Sequence, residues 1–134
     1  MSVWKQVTSD VLGRNVNEKM LFNALADLGI GVDKSVKTIR NSWGSDTCDF
    51  VLTNNGKVTA VGMRWTKGKG VELVGDTFCC GFQGVGDKGQ QDLMHKIAQA
   101  YQVRHVKQQM ALNNWMVEEQ VTENGEIKLV FVQA

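Results

Sequence analysis

Residues 55–76 read Asn55-Gly56-Lys57-Val58-Thr59-Ala60-Val61-Gly62-Met63-Arg64-Trp65-Thr66-Lys67-Gly68-Lys69-Gly70-Val71-Glu72-Leu73-Val74-Gly75-Asp76. The residues alternate: Val61, Met63 and Trp65 fall on one side, Ala60, Gly62 and Arg64 on the other. A period of two is the signature of a strand. Asn55-Gly56 is the pair that a two-residue hairpin turn favours, because both central residues take positive φ. Thr66 to Gly70 turns the chain again, and Val71 to Val74 returns as a short strand. Such a meander in mid-chain predicts the middle of an antiparallel sheet.

Towards the amino terminus, Val3 to Val7 reads as a first strand and Leu12 to Val16 as a connection. Asn17 to Leu28 is the clearest helix. Leu21, Ala24, Leu25 and Leu28 recur every three or four residues and form one stripe. Asn15 with Glu18 fits a capping box, and Gly29 sits where a helix wants a left-handed residue. Ile30 to Ile39 reads as a strand, Arg40 to Asp46 as a loop carrying Trp43, and Thr47 to Thr53 as a strand with Cys48, Phe50 and Leu52 on one face.

Beyond the meander, Asp76 to Gly89 is irregular and rich in glycine. A second helix runs from Gln90 to about Gln102, with Leu93, Ile97, Ala100 and Tyr101 in a stripe. Val103, Val106 and Met110 either continue it or belong to a short third helix. A closing hairpin follows, with Trp115, Val117 and Val121 on one strand, Ile127, Leu129 and Phe131 on the other, and Asn124-Gly125 between them. This order predicts an α+β fold: a mostly antiparallel sheet of about six to seven strands with two or three helices packed on one face.

At 134 residues the chain is read as a single domain. Fifteen basic residues against 14 acidic ones leave a net charge of +1. That balance argues against duplex DNA or an anionic membrane as partner. With only 7% aromatic residues, single-stranded nucleic acid is also a weak match. No apolar run approaches the roughly 18 residues of a membrane span. Met1 to Asp10 is too polar for a signal peptide, so the expected location is cytoplasmic. There Cys48, Cys79 and Cys80 are expected as reduced thiols.

Four blocks resemble one family. They are Leu25-Ala26-Asp27-Leu28-Gly29; Cys48-Asp49-Phe50-Val51-Leu52; Gly62-Met63-Arg64-Trp65 with Val71-Glu72-Leu73-Val74-Gly75-Asp76; and Val117-Glu118-Glu119-Gln120 with Ile127-Lys128-Leu129-Val130. The chain is similar over about Leu25 to Val132 to the uncharacterised family typified by hypothetical chloroplast reading frame thirty-five, of cyanobacteria, algal plastids and some other bacteria and phages. Residues 17–134 form the family-like region. Residues 1–16, an N-terminal strand and connection, depart from the pattern, as does Thr77 to Lys88. The resemblance supports the fold boundaries and a cytosolic setting, and it brings no activity.

Two groups of residues are candidates for binding. Gly84-Val85-Gly86-Asp87-Lys88-Gly89 spells G-x-G-x-x-G just before a helix. There Gly84 and Gly86 let the backbone approach an anion and Lys88 adds charge. The acidic residue expected about 20 positions further on is missing, which weakens a nucleotide reading. The second group is Arg64, Trp65 and Trp43, with Glu72 on the neighbouring strand. Arginine and tryptophan together suit stacking on a ligand or partner. The plainer alternative has Trp65 in the core and Arg64 paired with Glu72 across the hairpin.

Cys48, Cys79, Cys80, His95 and His105 lack the spacing of a metal site, so no metal and no cofactor is expected. No nucleophile stands beside a base in a known motif. The expected function is therefore a small binding module for an anionic or nucleotide-like ligand or for a protein partner. A homodimer through an exposed sheet edge accompanies that expectation. A small enzyme, or a homo-oligomer without a ligand, is the alternative.

Overall fold

The computed structural model describes residues 4–41, 44–76, 90–113 and 115–133. In chain order these form β1 (Trp4–Val7), α1 (Glu18–Asp27), β2 (Gly31–Asp33), β3 (Thr38–Asn41), β4 (Gly44–Thr47), β5 (Phe50–Asn54), β6 (Lys57–Trp65), β7 (Val71–Asp76), α2 (Gln90–Leu112), β8 (Trp115–Val121) and β9 (Ile127–Gln133). The main sheet has five strands in the order β1-β7-β6-β5-β2, and all neighbours are antiparallel. β6 is its central strand, as the alternation at residues 60–65 predicts. Asn55 and Gly56 take φ of 53° and 79° in the turn that leads into it.

Both faces of β6 are covered from Val61 to Met63. On one face Val61 and Met63 join Phe50, Leu52, Val71 and Leu73 beneath the two helices. From α1 come Leu21, Ala24 and Leu25; from α2 come Leu93, Met94 and Ile97. On the other face Val51, Val74 and Cys48 pack against Ile39. Ile39 belongs to the β3–β4 hairpin, which forms its own two-stranded sheet. The α+β class thus holds, with helices on one face and a hairpin on the other.

Close approach at this centre excludes side chains. A Cβ on Gly62 would lie 2.8 Å from the Cβ of Cys48 and 2.9 Å from the carbonyl oxygen of Phe50. Gly75 has φ of 144°, and a Cβ there would run into the carbonyl of Ala60. Both glycines let neighbouring chain sit close to β6.

Several expectations change in detail. The segment 30–39 is two strands in two sheets. Asp33 ends β2, because its Oδ1 accepts hydrogen bonds from the Ser35 amide at 2.9 Å and the Ser35 hydroxyl at 2.6 Å. That local turn competes with an extended backbone. The segment 47–53 is likewise split, at Cys48 and Asp49. Asp49 Oδ2 accepts the Trp65 amide at 2.6 Å, which holds the chain at the break. Cys48 therefore joins Val51 on the hairpin face, away from Phe50 and Leu52. The predicted loop at 40–46 is largely the β3–β4 hairpin; Ser42 and Trp43 lie outside the described residues.

Helix α1 is capped by Asn17, whose side chain accepts the Met20 amide; Asn15 instead takes a φ of 54°. At its end the Gly29 amide donates to the Ala26 carbonyl and the Ile30 amide to that of Leu25, both at 2.9 Å. This pair of bonds is the Schellman ending that Gly29 predicts. α2 is one helix of 23 residues, so the described residues hold two helices. The main sheet has five strands, short of six or seven, because β3–β4 and β8–β9 pair only within themselves. Helix α2 spans about 34 Å at 1.5 Å per residue, and the closing hairpin packs against it.

Side chains from β6 test this layering. Met63 is fully buried and Val58 is 55% exposed. Met63→Ala should lower unfolding free energy by about 3 kcal/mol. Val58→Ala should stay within about 0.5 kcal/mol. Urea unfolding midpoints at constant slope measure both.

Candidate functional site

Arg64 and Glu72 are direct cross-strand partners on β6 and β7. The Arg64 Nε donates to Glu72 Oε1 at 2.8 Å, and Nη1 donates to Asp46 Oδ1 at 3.2 Å and to the Thr47 carbonyl at 3.3 Å. The side chains are 24%, 15% and 34% exposed for Arg64, Glu72 and Asp46. The Glu72 hydrogen bond raises the Arg64 pKa above its already high ordinary value. The guanidinium thus ties β4 to the β6–β7 meander. Trp65 points to the opposite face, 6.3 Å from the Phe50 ring between centroids, and packs on the main core. The geometry is that of the plainer alternative: arginine and tryptophan adjoin in sequence but face apart.

Trp43, Gly84, Gly86 and Lys88 lie outside the described residues, as do Cys79 and Cys80. Cys48 is buried, and burial pushes its thiol pKa up, away from reactivity. Its Sγ lies 3.7 Å from the Val36 carbonyl. His105 stacks on Tyr101, one turn away on α2, at 6.5 Å between centroids and 9° between planes. Among the described residues no three metal-ligating side chains come together.

A cleft of about 910 Å³ opens between α1, α2 and the β8–β9 hairpin. Met20, Leu28, Ala100, Val103 and Ile127 give it apolar walls. Its polar groups come in pairs. Arg104 forks onto Asp27, with Nε to Oδ2 at 2.5 Å and Nη2 to Oδ1 at 2.7 Å. Lys107 pairs with Glu119 of β8. The first pair joins α1 to α2 and the second joins α2 to the hairpin. The Asn17 amide donates to the Tyr101 hydroxyl at 3.0 Å, fixing the start of α1 against α2.

Charge in this cleft is unevenly used. Both carboxylates already hold a cation. Lys19, Arg104 Nη1 and the side-chain amides of Asn23 and Gln108 line it without a hydrogen-bond partner among the described residues. The spare capacity is therefore mostly donor. These residues are absent from the sequence-level candidates, although a signal exists. Lys19, Asn23 and Asp27 recur every four residues, which places them on one face of α1. Ala100, Arg104 and Gln108 do the same on α2, with Lys107 three residues after Arg104. Asp27 and Arg104 are 77 positions apart, so no local pattern joins the stripes.

The chain belongs to the family described as protein of unknown function (DUF1257), whose family model matches residues 24–130. The resemblance read from the four sequence blocks holds at that level, and its span agrees. No curated protein and no solved structure matches the chain. Among the described residues no helix is long and apolar enough to cross a membrane.

Two outcomes follow from the pairs. Arg64→Ala leaves Glu72 and Asp46 partly buried without their cation, so unfolding free energy should fall by about 2 kcal/mol. Arg64→Lys, which keeps the charge without the fork, should recover part of that loss. In the cleft, Arg104 holds the Asp27 carboxyl below its usual value near 3.8. A depressed folded-state pKa adds stability above the unfolded value, and that stability is lost as pH falls through the folded one. Arg104→Ala should therefore destabilise at pH 7 and make little difference at the acid end. The pair is exposed, so the change at pH 7 should be under about 1 kcal/mol. Denaturant titrations of both proteins across the acid range measure it.

Proposed function

We propose that the chain is a small cytosolic binding module that takes a small anionic ligand in the cleft between α1, α2 and the β8–β9 hairpin. The cleft itself supports this reading. Its volume suits a small molecule, and five apolar residues stand among eight polar or charged ones along its walls. The donors left over by the internal pairs select for an anion. Charged donors on a carboxylate or phosphate make the stronger class of hydrogen bond. An apolar body on the same ligand would lie against Met20, Val103 and Ile127. Within its family we place the chain with the proteins typified by hypothetical chloroplast reading frame thirty-five, on the strength of residues 62–65 and 71–76.

A thermal-shift screen against phosphate- and carboxylate-bearing small molecules, followed by calorimetric titration of any hit, tests the reading. A ligand at 100 times its dissociation constant should add about 2.7 kcal/mol to stability. Lys19→Ala should weaken binding about tenfold, the loss of one charge-assisted contact. Asp27→Asn, which removes a competing anion, should tighten it or leave it level. Binding that ignores Lys19 but falls with Lys88→Ala would move the site to the glycine-rich segment ahead of α2 and overturn the proposal. A screen with no hit would also overturn it.

A further inference from the structure

The β8–β9 hairpin pairs with no other strand among the described residues. One face of it carries Glu119, which holds Lys107 of α2, and Ile127, which lines the cleft. The middle of that face looks towards the body, while Val121 and Phe131 on it are 73% and 48% exposed. The register of the pair puts six residues on the opposite face: Met116 beside Val132, Glu118 beside Val130, and Gln120 beside Lys128. Met116 is 56% exposed and Val132 43%. Glu118 and Lys128 are exposed, and neither has an ion partner among the described residues. A two-stranded hairpin is marginal by itself. Here it shows water an apolar end and a charged end with opposite signs on its two strands.

We infer that this face is a dimer contact and that its occupant is a second copy of the same face. The charges make the choice. A two-fold axis running along the hairpin lays β8 of one copy over β9 of the other. Met116 then meets the partner's Val132. Glu118 lies over the partner's Val130, one register step from the partner's Lys128, within reach of both long side chains. Two-fold symmetry repeats each contact, so both carboxylates and both ammonium groups are matched. Stacked sheet faces use the same side chains that now meet water. Six residues a side is less than a standard interface, so the dimer is weak and concentration-dependent. The inference is independent of the ligand cleft, which lies on the other side of the hairpin.

Charge reversal tests it without touching the core. The measurement is sedimentation equilibrium of the full chain over a wide concentration series. The wild type should fit a monomer–dimer equilibrium. Glu118→Lys alone should weaken the dimer about tenfold or more, because symmetry places two like-charged pairs in the contact. Lys128→Glu alone should do the same. The double reversal should restore the dimer, and mixing the two single variants should give a heterodimer tighter than either homodimer. Both substitutions are at exposed positions, and circular dichroism with a melting curve confirms the fold of each variant. A monomer at every concentration overturns the inference and leaves the face to a different partner. A dimer whose affinity ignores both reversals overturns it too, since its contact lies elsewhere.

Discussion

The Val61–Met63 stretch of strand β6 is buried on both faces, and the rest of the molecule is built around that constraint. An antiparallel sheet that faces water on one side needs only one cover. This one needs two. Val61 and Met63 require the helices, and the small residue Gly62 with Arg64 beside it requires the β3–β4 hairpin. The second cover is thin, with Ile39 as its fully buried apolar contact. The Arg64–Glu72–Asp46 cluster supplements it by tying β4 to the sheet with directional bonds. A partly buried ion cluster is an uncertain source of stability, yet removing one member leaves the others uncompensated. That asymmetry explains how an arginine on a central strand serves the fold through its ion pairs.

The same constraint sets what is left over for function. The centre of the sheet is covered on both sides. Free surface collects where elements meet at the periphery, and one such place is the junction of α1, α2 and the closing hairpin. Three elements meet there through two ion pairs and one tyrosine hydroxyl. The junction is polar and open, and its two ion pairs are exposed and each weak. A site of that kind adjusts to a ligand more readily than a core does. The hairpin that closes one wall pairs with no other strand among the described residues, and α2 supports it.

Much of the fold was legible in the sequence. Alternation at residues 60–65, the Asn55-Gly56 turn and the Leu21–Ala24–Leu25 part of the α1 stripe each state one local rule, and each held, while Leu28 past the helix end is 38% exposed. The breaks were not legible. Asp33 and Asp49 end strands through side-chain bonds to Ser35 and to the Trp65 amide. The first of these bonds is local, the second spans 16 residues, and neither disturbs the apolar pattern. The candidate site was less legible still. Arg64 and Trp65 adjoin in sequence, which suggested one surface, while the period of two that marks the strand sends them to opposite faces. The cleft residues sit on exposed helix faces, where polar side chains are ordinary, and only the tertiary packing of α1 on α2 brings Asp27 to Arg104. The fold follows from local rules repeated along the chain; the site depends on long-range contacts that such rules do not see.

We propose that binding belongs to the cleft and that the Arg64 cluster serves the fold. The most direct test is a chemical-shift map of the backbone amides, recorded while a small anionic ligand found by screening is titrated in. The account predicts changes concentrated at residues 17–28, 100–108, 119 and 127, with residues 46, 64 and 72 unmoved. Changes centred on Arg64, Glu72 and Asp46, with the helix–hairpin junction silent, would contradict it.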